Sequence, residues 1–393
     1  MRLRIPDPWM FSLYALPLFF FPLSTAGSGI AMGLLILAYG FSGHWRNWRT
    51  IGERGWYLPW LLLMAWTAIG LLWTSNMFFG QKVTISTFDA IFAFMGATLP
   101  WRERWVKWVI RWFLAGIVVN EILAFLMTWK ILPWQNTDWI PYTGFCDHIF
   151  LSLVLAHAIL WLVYDQKQRW NFPRWANWTL ILFFALQMAL TPGRSGQLLL
   201  VLLLPVALFL LYPGRWRWAL PILGVLAAVL LFAIPEVRAH FLVGVHELLA
   251  FSPAQADVKS SWGIRLVAMW AGISIFLSHP LFGAGTGNFY PEVLHLVALH
   301  RIPETTGRMN SASNSLISVA ASQGIVGLFL YVWVMISLLR ESWTSKFSPW
   351  GWFFSSYFFI YLIGGFFDGL NWGYADAVII SLLAGMPLIR REL

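Results

Sequence analysis

Long apolar segments follow one another along most of this 393-residue chain, and they restrict it to a helical fold within a membrane. A helix needs about 20 apolar residues to cross a bilayer. Charged residues make up 11% of the chain, whereas a soluble domain carries roughly 25%. We predict an all-α, polytopic integral membrane protein with about twelve spans. They are predicted at residues 9–25, 29–43, 57–74, 83–100, 106–128, 145–164, 177–191, 197–212, 218–234, 314–339, 349–366 and 373–389.

The placement of Lys and Arg predicts how these spans are oriented. If both chain ends are cytoplasmic, 18 of the 26 basic residues fall on the cytoplasmic side. The positive-inside rule favours that arrangement. The other eight then face outward: Lys82, Lys130, Arg194, Arg238, Lys259, Arg265, Arg301 and Arg308.

One outward connection, residues 235–313, is much longer than the rest. It is moderately apolar and contains helix-like stretches such as "VRAHFLVGVHELLAF". Long structureless loops are uncommon in compact proteins, so we predict ordered helices lying on the membrane. The chain then divides into spans one to nine at 1–234, this helical segment at 235–313, and three final spans at 314–393.

The outward basic residues are the first candidates for a binding site. Arg194 lies in "TPGRSGQ", a tight turn in which Arg194, Ser195 and the free N–H groups of the next helix would form an anion site. The alternative is an arginine that reaches lipid phosphate. Arg265 lies on an otherwise apolar helix, where a guanidinium needs a partner. That partner is either an anionic ligand or a structural ion pair with Glu236 or Glu292.

Three further residues are weaker candidates. Lys82 is either a second phosphate contact or the anchor of a helix end. Asp147 and His148, near the outer end of span six, would orient a substrate or act as a base, or else form a structural pair. The sequence has no Asp-x-Asp pair and no metal-ligand cluster, so we expect neither a metal ion nor another cofactor.

The stretch "HPLFGAGTGNFY" contains Gly283, Gly285 and Gly287. No strand precedes it and no βαβ unit surrounds it, so a dinucleotide-binding interpretation fails its structural context. We predict a sharp chain reversal that brings a helix end over the site.

Three stretches resemble the O-antigen ligases, within a wider group of O-antigen ligases and polymerases: "TPGRSG", "GIRLVAMWAGISIFLSHPLFGAGTGNFY" and "SASNSLISVAASQGIVGL". The resemblance implies a GT-C-like, metal-independent and inverting glycosyltransferase. Such an enzyme moves O-antigen glycan from undecaprenyl diphosphate to lipid A–core oligosaccharide, at the periplasmic face of the bacterial inner membrane. Two family arginines that bind the carrier diphosphate correspond to Arg194 and Arg265.

The third stretch departs from the family pattern at Ser313. The family typically has a histidine directly before the asparagine, acting as general base, whereas here Ser313 precedes Asn314. A serine hydroxyl does not take up that proton near neutral pH. Either the enzyme has been deliberately inactivated, which we favour, or another base acts, or the protein is a natural pseudoenzyme. Asn314 would orient substrate or cap span ten.

The alternative functions for this sequence are an O-antigen polymerase and a transporter of lipid-linked glycans. A transporter often has two related halves, and we find no such internal symmetry. We expect a monomer in the lipid bilayer and no nucleic-acid partner.

Overall fold

The computed structural model describes residues 5–133, 141–212, 214, 217–219, 222, 224–226, 235–255, 260–306, 309–345, 348–370 and 374–386. These residues form helices and connecting turns without a β-strand, which confirms the predicted all-helical class. The helices of seven or more residues are α1 (Asp7–Phe20), α2 (Thr25–Ser42), α3 (Tyr57–Ile69), α4 (Met77–Phe88), α5 (Ile91–Ala97), α6 (Glu103–Thr128), α7 (His148–Gln168), α8 (Arg174–Leu190), α9 (Arg194–Leu211), α10 (Pro235–Leu249), α11 (Ser261–Ser278), α12 (Phe289–Ala298), α13 (Ser315–Ser345), α14 (Pro349–Gly364) and α15 (Tyr374–Gly385).

Several of these helices are suited to crossing a membrane. By length and composition α2, α6, α7, α9 and α13 qualify, and a sixth span results if the bent pair His44–Gly52 and Tyr57–Trp73 counts as one. The chain is therefore a multi-pass membrane protein. Other predicted spans correspond to shorter helices, such as the 14 residues of α1 and the 12 of α15. Predicted span 218–234 lies mostly outside the described residues.

The predicted span 83–100 is wrong as a single helix. α4 ends at Phe88 and α5 begins at Ile91. Between them the backbone hydrogen bonds join residues three apart, as in the bond from the Phe92 N–H to the Asp89 carbonyl at 3.0 Å. α5 packs on α15. A Cβ on Gly96 would overlap the backbone of Gly385, so the two helices approach closely at a glycine.

The centre of the bundle is α7, which packs against α8, α9 and α14. Its Trp161 is fully buried and meets the ring of Phe353 edge-on at 5.7 Å. Asp147 caps this helix by accepting from the backbone N–H groups of Ile149 and Phe150, at 2.8 and 3.3 Å. The Asp147 end of the bundle is where the functional candidates lie.

The long connection 235–313 is helical in its described part, as predicted. Ser260 caps α11 by accepting from the Gly263 N–H at 2.7 Å. Apolar side chains of α11 and α12 pack with one another and against the first part of α13, among them Val267, Phe289, Val293 and Ala321. Its placement along the membrane surface stays a prediction.

The run of three glycines forms the predicted chain reversal, and it borders a break in α13 that the sequence did not indicate. Gly324 has φ +66° and ψ −166°, which interrupts the helix. The turn supplies the hydrogen bonds lost there: Ala284 and Gly285 N–H donate to the carbonyls of Ala321 and Ser322, both at 3.0 Å. All three turn glycines have positive φ, as close backbone approach requires.

Candidate functional site

The turn that carries Arg194 is held firmly against its surroundings. The Gly196 N–H donates to the Ser152 hydroxyl of α7 at 3.1 Å, and a Cβ on Gly196 would overlap the Ser152 carbonyl. The Gln197 side chain donates to the carbonyls of Met188 and Thr191, at 2.8 and 3.1 Å. The Arg194 side chain is exposed at the first residue of α9, where the helix N-terminus adds partial positive charge.

This turn meets the start of α7, so the structure brings Arg194 and Ser195 next to Asp147 and His148. A Cβ on Gly193 would overlap the His148 carbonyl. His148 Nδ1 lies 3.4 Å from an Asp147 carboxylate oxygen, and the other Asp147 oxygen caps the helix. This contact supports the structural pair that was the alternative for Asp147 and His148. Both side chains lie at the edge of the candidate site.

Arg265 and Asn314 converge on a different element, the loop between α14 and α15. We call residues 365–369 the α14–α15 loop. Arg265 Nε donates to the Phe367 carbonyl at 3.3 Å, and Asn314 Nδ2 donates to the Phe366 carbonyl at 3.1 Å. Asn314 also caps α13 by accepting from the Ile317 N–H at 3.0 Å, which confirms the predicted cap. Glu236, the predicted alternative partner of Arg265, lies outside the described side chains.

Ser313 lies in a short segment that packs on the same loop. Before Ser313, the Ser311 hydroxyl lies 2.9 Å from where a Cβ on Gly369 would stand. After it, the Ser315 hydroxyl donates to the Asp368 carbonyl at 3.3 Å. Ser313 itself is half-buried and has φ +49°. Histidine is one of the residues that enters this left-handed conformation more readily than most, so the backbone suits the family histidine.

The candidate that the sequence did not single out is Asp368. It belongs to the α14–α15 loop, is half-buried, and accepts a hydrogen bond from the Gly369 N–H at 2.8 Å. Buried Asp376 lies within electrostatic range of both Asp368 and Asp147. Asp368 and Asp147 therefore share a neighbour, Asp376, at one end of the bundle. The sequence signal that could have found Asp368 is a single carboxylate between Gly365 and Gly369, in a connection predicted to face outward.

Lys82 is placed differently. Its ammonium lies 4.3 Å from the ring centroid of Phe78 and 5.4 Å from that of Phe79, and Phe79 in turn neighbours Tyr290 of α12. A cation over aromatic faces is stabilised by them. The described contacts thus place Lys82 against aromatic side chains, and they do not bring it to Arg194 or Arg265.

The candidate site combines two guanidinium groups with a carboxylate. Two guanidinium groups suit a phosphate-containing ligand, and a carboxylate can accept a proton or orient a group that does. Among the described residues, no group of three or more His, Cys, Asp or Glu side chains is arranged to hold a metal ion.

Comparison with protein families assigns the part of the chain that supplies most of this site. Residues 178–332, from within α8 to within α13, match the O-antigen ligase family. Over this stretch the chain is similar to the O-antigen ligases. Arg194, Arg265 and Asn314 lie inside the family match, whereas Asp147, His148 and Asp368 lie outside it. Comparison with curated proteins gives no match to the chain.

Proposed function

We propose that this protein transfers O-antigen glycan from undecaprenyl diphosphate to lipid A–core oligosaccharide. The observation that carries the proposal is the convergence of Arg265, Asn314 and Ser315 on the α14–α15 loop, which carries Asp368. We propose that Arg194, on the turn packed against the start of α7, belongs to the same site. A lipid-linked diphosphate would place its charge at these arginines while its hydrocarbon chain stays in the bilayer. The family match supports a ligase or a related polymerase.

The chemistry is a direct displacement at the anomeric carbon of the donor sugar. The acceptor hydroxyl attacks that carbon, the bond to the diphosphate oxygen breaks, and the anomeric centre inverts. Arg194 and Arg265 stabilise the charge that develops on the leaving diphosphate. In a form with the family histidine at position 313, that histidine takes the hydroxyl proton and the Asp368 carboxylate orients it. In the chain with Ser313, the Asp368 carboxylate is the candidate base for that proton.

We further propose a GT-C-like arrangement of about twelve spans in the bacterial inner membrane. Both termini would be cytoplasmic and the Asp147 end of the bundle would face the periplasm, in keeping with the bias of Lys and Arg. The site would act in a monomer, because every residue invoked here comes from one chain.

Restoring a histidine at position 313 is the first test of this proposal. We expect Ser313→His to transfer glycan about 100-fold faster than the unmodified protein with Ser313, because a positioned general base contributes at least that much. Purified undecaprenyl-diphosphate glycan and lipid A–core would be supplied to both forms in nanodiscs without divalent metal. Equal transfer by both would place the base elsewhere, and Asp368 would be examined next. Elongated carrier-linked glycan in place of ligated product would favour a polymerase.

A second prediction separates the two carboxylates near the site. In the Ser313→His form, Asp368→Asn is expected to lower kcat by about tenfold or more, because it removes the charge that would stabilise an imidazolium. Asp147→Asn, an identical change at the α7 cap, is expected to keep the cap, because Asn and Asp cap helices about equally well, and to leave stability within about 0.5 kcal/mol and kcat within about twofold. The pH profile of kcat separates the two roles, since only Asp368→Asn should shift its acidic limb. The opposite ranking would assign the orienting role to Asp147.

A further inference from the structure

A groove runs between α13 and α14 and begins at the candidate site. Its mouth is formed by Ser315 and Gly365, and its volume is about 220 Å³. Below the mouth the lining is almost entirely apolar. The groove residues are Val332, Met335, Ile336, Leu339, Leu362 and Phe366.

The break at Gly324 creates this groove. In a straight helix Ser315 and Tyr331 would lie about 24 Å apart, at 1.5 Å per residue. In the structure the Tyr331 hydroxyl is instead within hydrogen-bonding reach of Ser315 and of Tyr361 on α14. The first part of α13 therefore bends back toward the top of α14, and the second part forms one wall of the groove.

The groove is open toward the side of the bundle. Ile336 and Phe366 are 43% and 47% exposed, while Met335 and Tyr331 at its floor are buried. An exposed apolar surface on a membrane helix faces hydrocarbon, so a lipid chain can enter sideways. The groove thus joins a bilayer-facing surface to the loop that carries Asp368.

Charge at the mouth defines what kind of lipid fits. Phe366 lines the groove, and the next residue, Phe367, accepts the hydrogen bond from Arg265. A guanidinium therefore stands at the top of an apolar groove. This combination is complementary to an amphiphile with an anionic head and a long hydrocarbon chain, and a water-soluble donor would leave the groove unused.

We propose that the α13–α14 groove holds the first isoprene units of the polyprenyl carrier, next to its diphosphate. This assignment rests on the proposed function and adds the site for the carrier chain. Occupation of the groove would fix the diphosphate against Arg265 and the donor sugar against Ser313 and Asp368. Hydrocarbon burial would then contribute to donor affinity separately from the arginines.

A matched pair of substitutions on α13 tests the groove. Ile336→Trp fills it, and Ile325→Trp makes the same change at a residue of similar exposure, 47%, outside it. Binding of undecaprenyl diphosphate and of inorganic diphosphate would be measured in detergent for the unmodified chain, both variants and Arg265→Ala. Leu339→Phe, deeper in the groove, is a milder second variant if Ile336→Trp does not fold, as judged by its melting temperature.

We expect Ile336→Trp to weaken undecaprenyl diphosphate binding by about tenfold, which corresponds to losing the burial of about two methylene groups. Inorganic diphosphate binding should be unchanged by it, and Ile325→Trp should affect neither ligand. Equal effects of the two Trp substitutions on carrier binding would overturn the groove and leave the proposed function standing. Displacement of the carrier from the groove by equimolar phosphatidylglycerol would instead make it a phospholipid site. Failure of both diphosphates to bind the unmodified chain would count against the proposed function itself.

Discussion

Replacing Arg265 by alanine in the Ser313→His form is expected to lower glycan transfer by about 100- to 1000-fold, the effect of removing one donor to a developing anion. Two consequences of the structure combine here. The diphosphate loses a guanidinium, and the Phe367 carbonyl loses the hydrogen bond that ties the α14–α15 loop to α11. The measurement is single-turnover transfer from undecaprenyl-diphosphate glycan to lipid A–core.

Two variants at the same position separate charge from loop anchoring. Arg265→Gln keeps a donor for the Phe367 carbonyl but removes the charge, whereas Arg265→Lys keeps the charge and loses the planar fork. If the diphosphate contact dominates, Gln should be nearly as slow as Ala and Lys should recover part of the rate. If Gln restores transfer, Arg265 acts by positioning the loop.

An arginine elsewhere in the same outer segment provides the control. Arg301 is exposed in the turn after α12, and its backbone N–H is bonded to the Leu296 carbonyl at 3.0 Å. Arg301→Ala removes the same charge from the segment 235–313 without touching the α14–α15 loop. Its transfer rate should stay within about twofold of the parent, as for an ordinary surface substitution. Undiminished transfer by Arg265→Ala itself would remove Arg265 from the site.

Local chemistry in the sequence was enough to find much of the candidate site. Arg194, Arg265 and Asn314 stood out because a charged or amide side chain beside membrane-length apolar segments needs a partner. The fold class followed from the same apolar segments. The cap formed by Asn314 was also predictable, since an asparagine directly before a helix supplies the oxygen that its first N–H groups lack.

What joins these residues was not predictable, because it depends on contacts between distant parts of the chain. Arg265 and Phe367 are 102 residues apart, and no local pattern relates them. Asp368 was not singled out because it is one acidic residue in a short connection after an apolar run, and charged residues are common in such connections. The role of Lys82 in an anion site stays a prediction. Its ammonium lies over the ring of Phe78, four residues earlier on α4, and helical spacing alone allows that pairing.

The break in α13 has the same origin. The stretch "ISVAASQGIVGLFLYVWVMI" reads as one apolar helix with two glycines, and glycine alone does not end a helix. The break forms because the turn at 280–287 supplies replacement partners. Ala284, Gly285 and Pro280 bond to the backbone on both sides of Gly324.

Substituting Gly324 by alanine is therefore expected to be among the most damaging single changes in the chain. A Cβ there would overlap the Leu281 carbonyl, and φ +66° with ψ −166° is a conformation that is essentially restricted to glycine. We expect a loss of about 2–4 kcal/mol of stability. Gly43→Ala is the matched control, because Gly43 has φ +76° but open space around its Cβ position. It should show the conformational strain alone, about 1 kcal/mol.

Melting temperature and carrier binding together decide what the Gly324 break does. If the break shapes the groove, Gly324→Ala should lose undecaprenyl diphosphate binding even at temperatures where the protein remains folded. Gly43→Ala should keep that binding when both variants are measured the same number of degrees below their own melting temperatures. Equal melting shifts for the two variants would mean that α13 accommodates a continuous helix at Gly324. The bend that brings Ser315 toward Tyr331 would then not depend on this glycine.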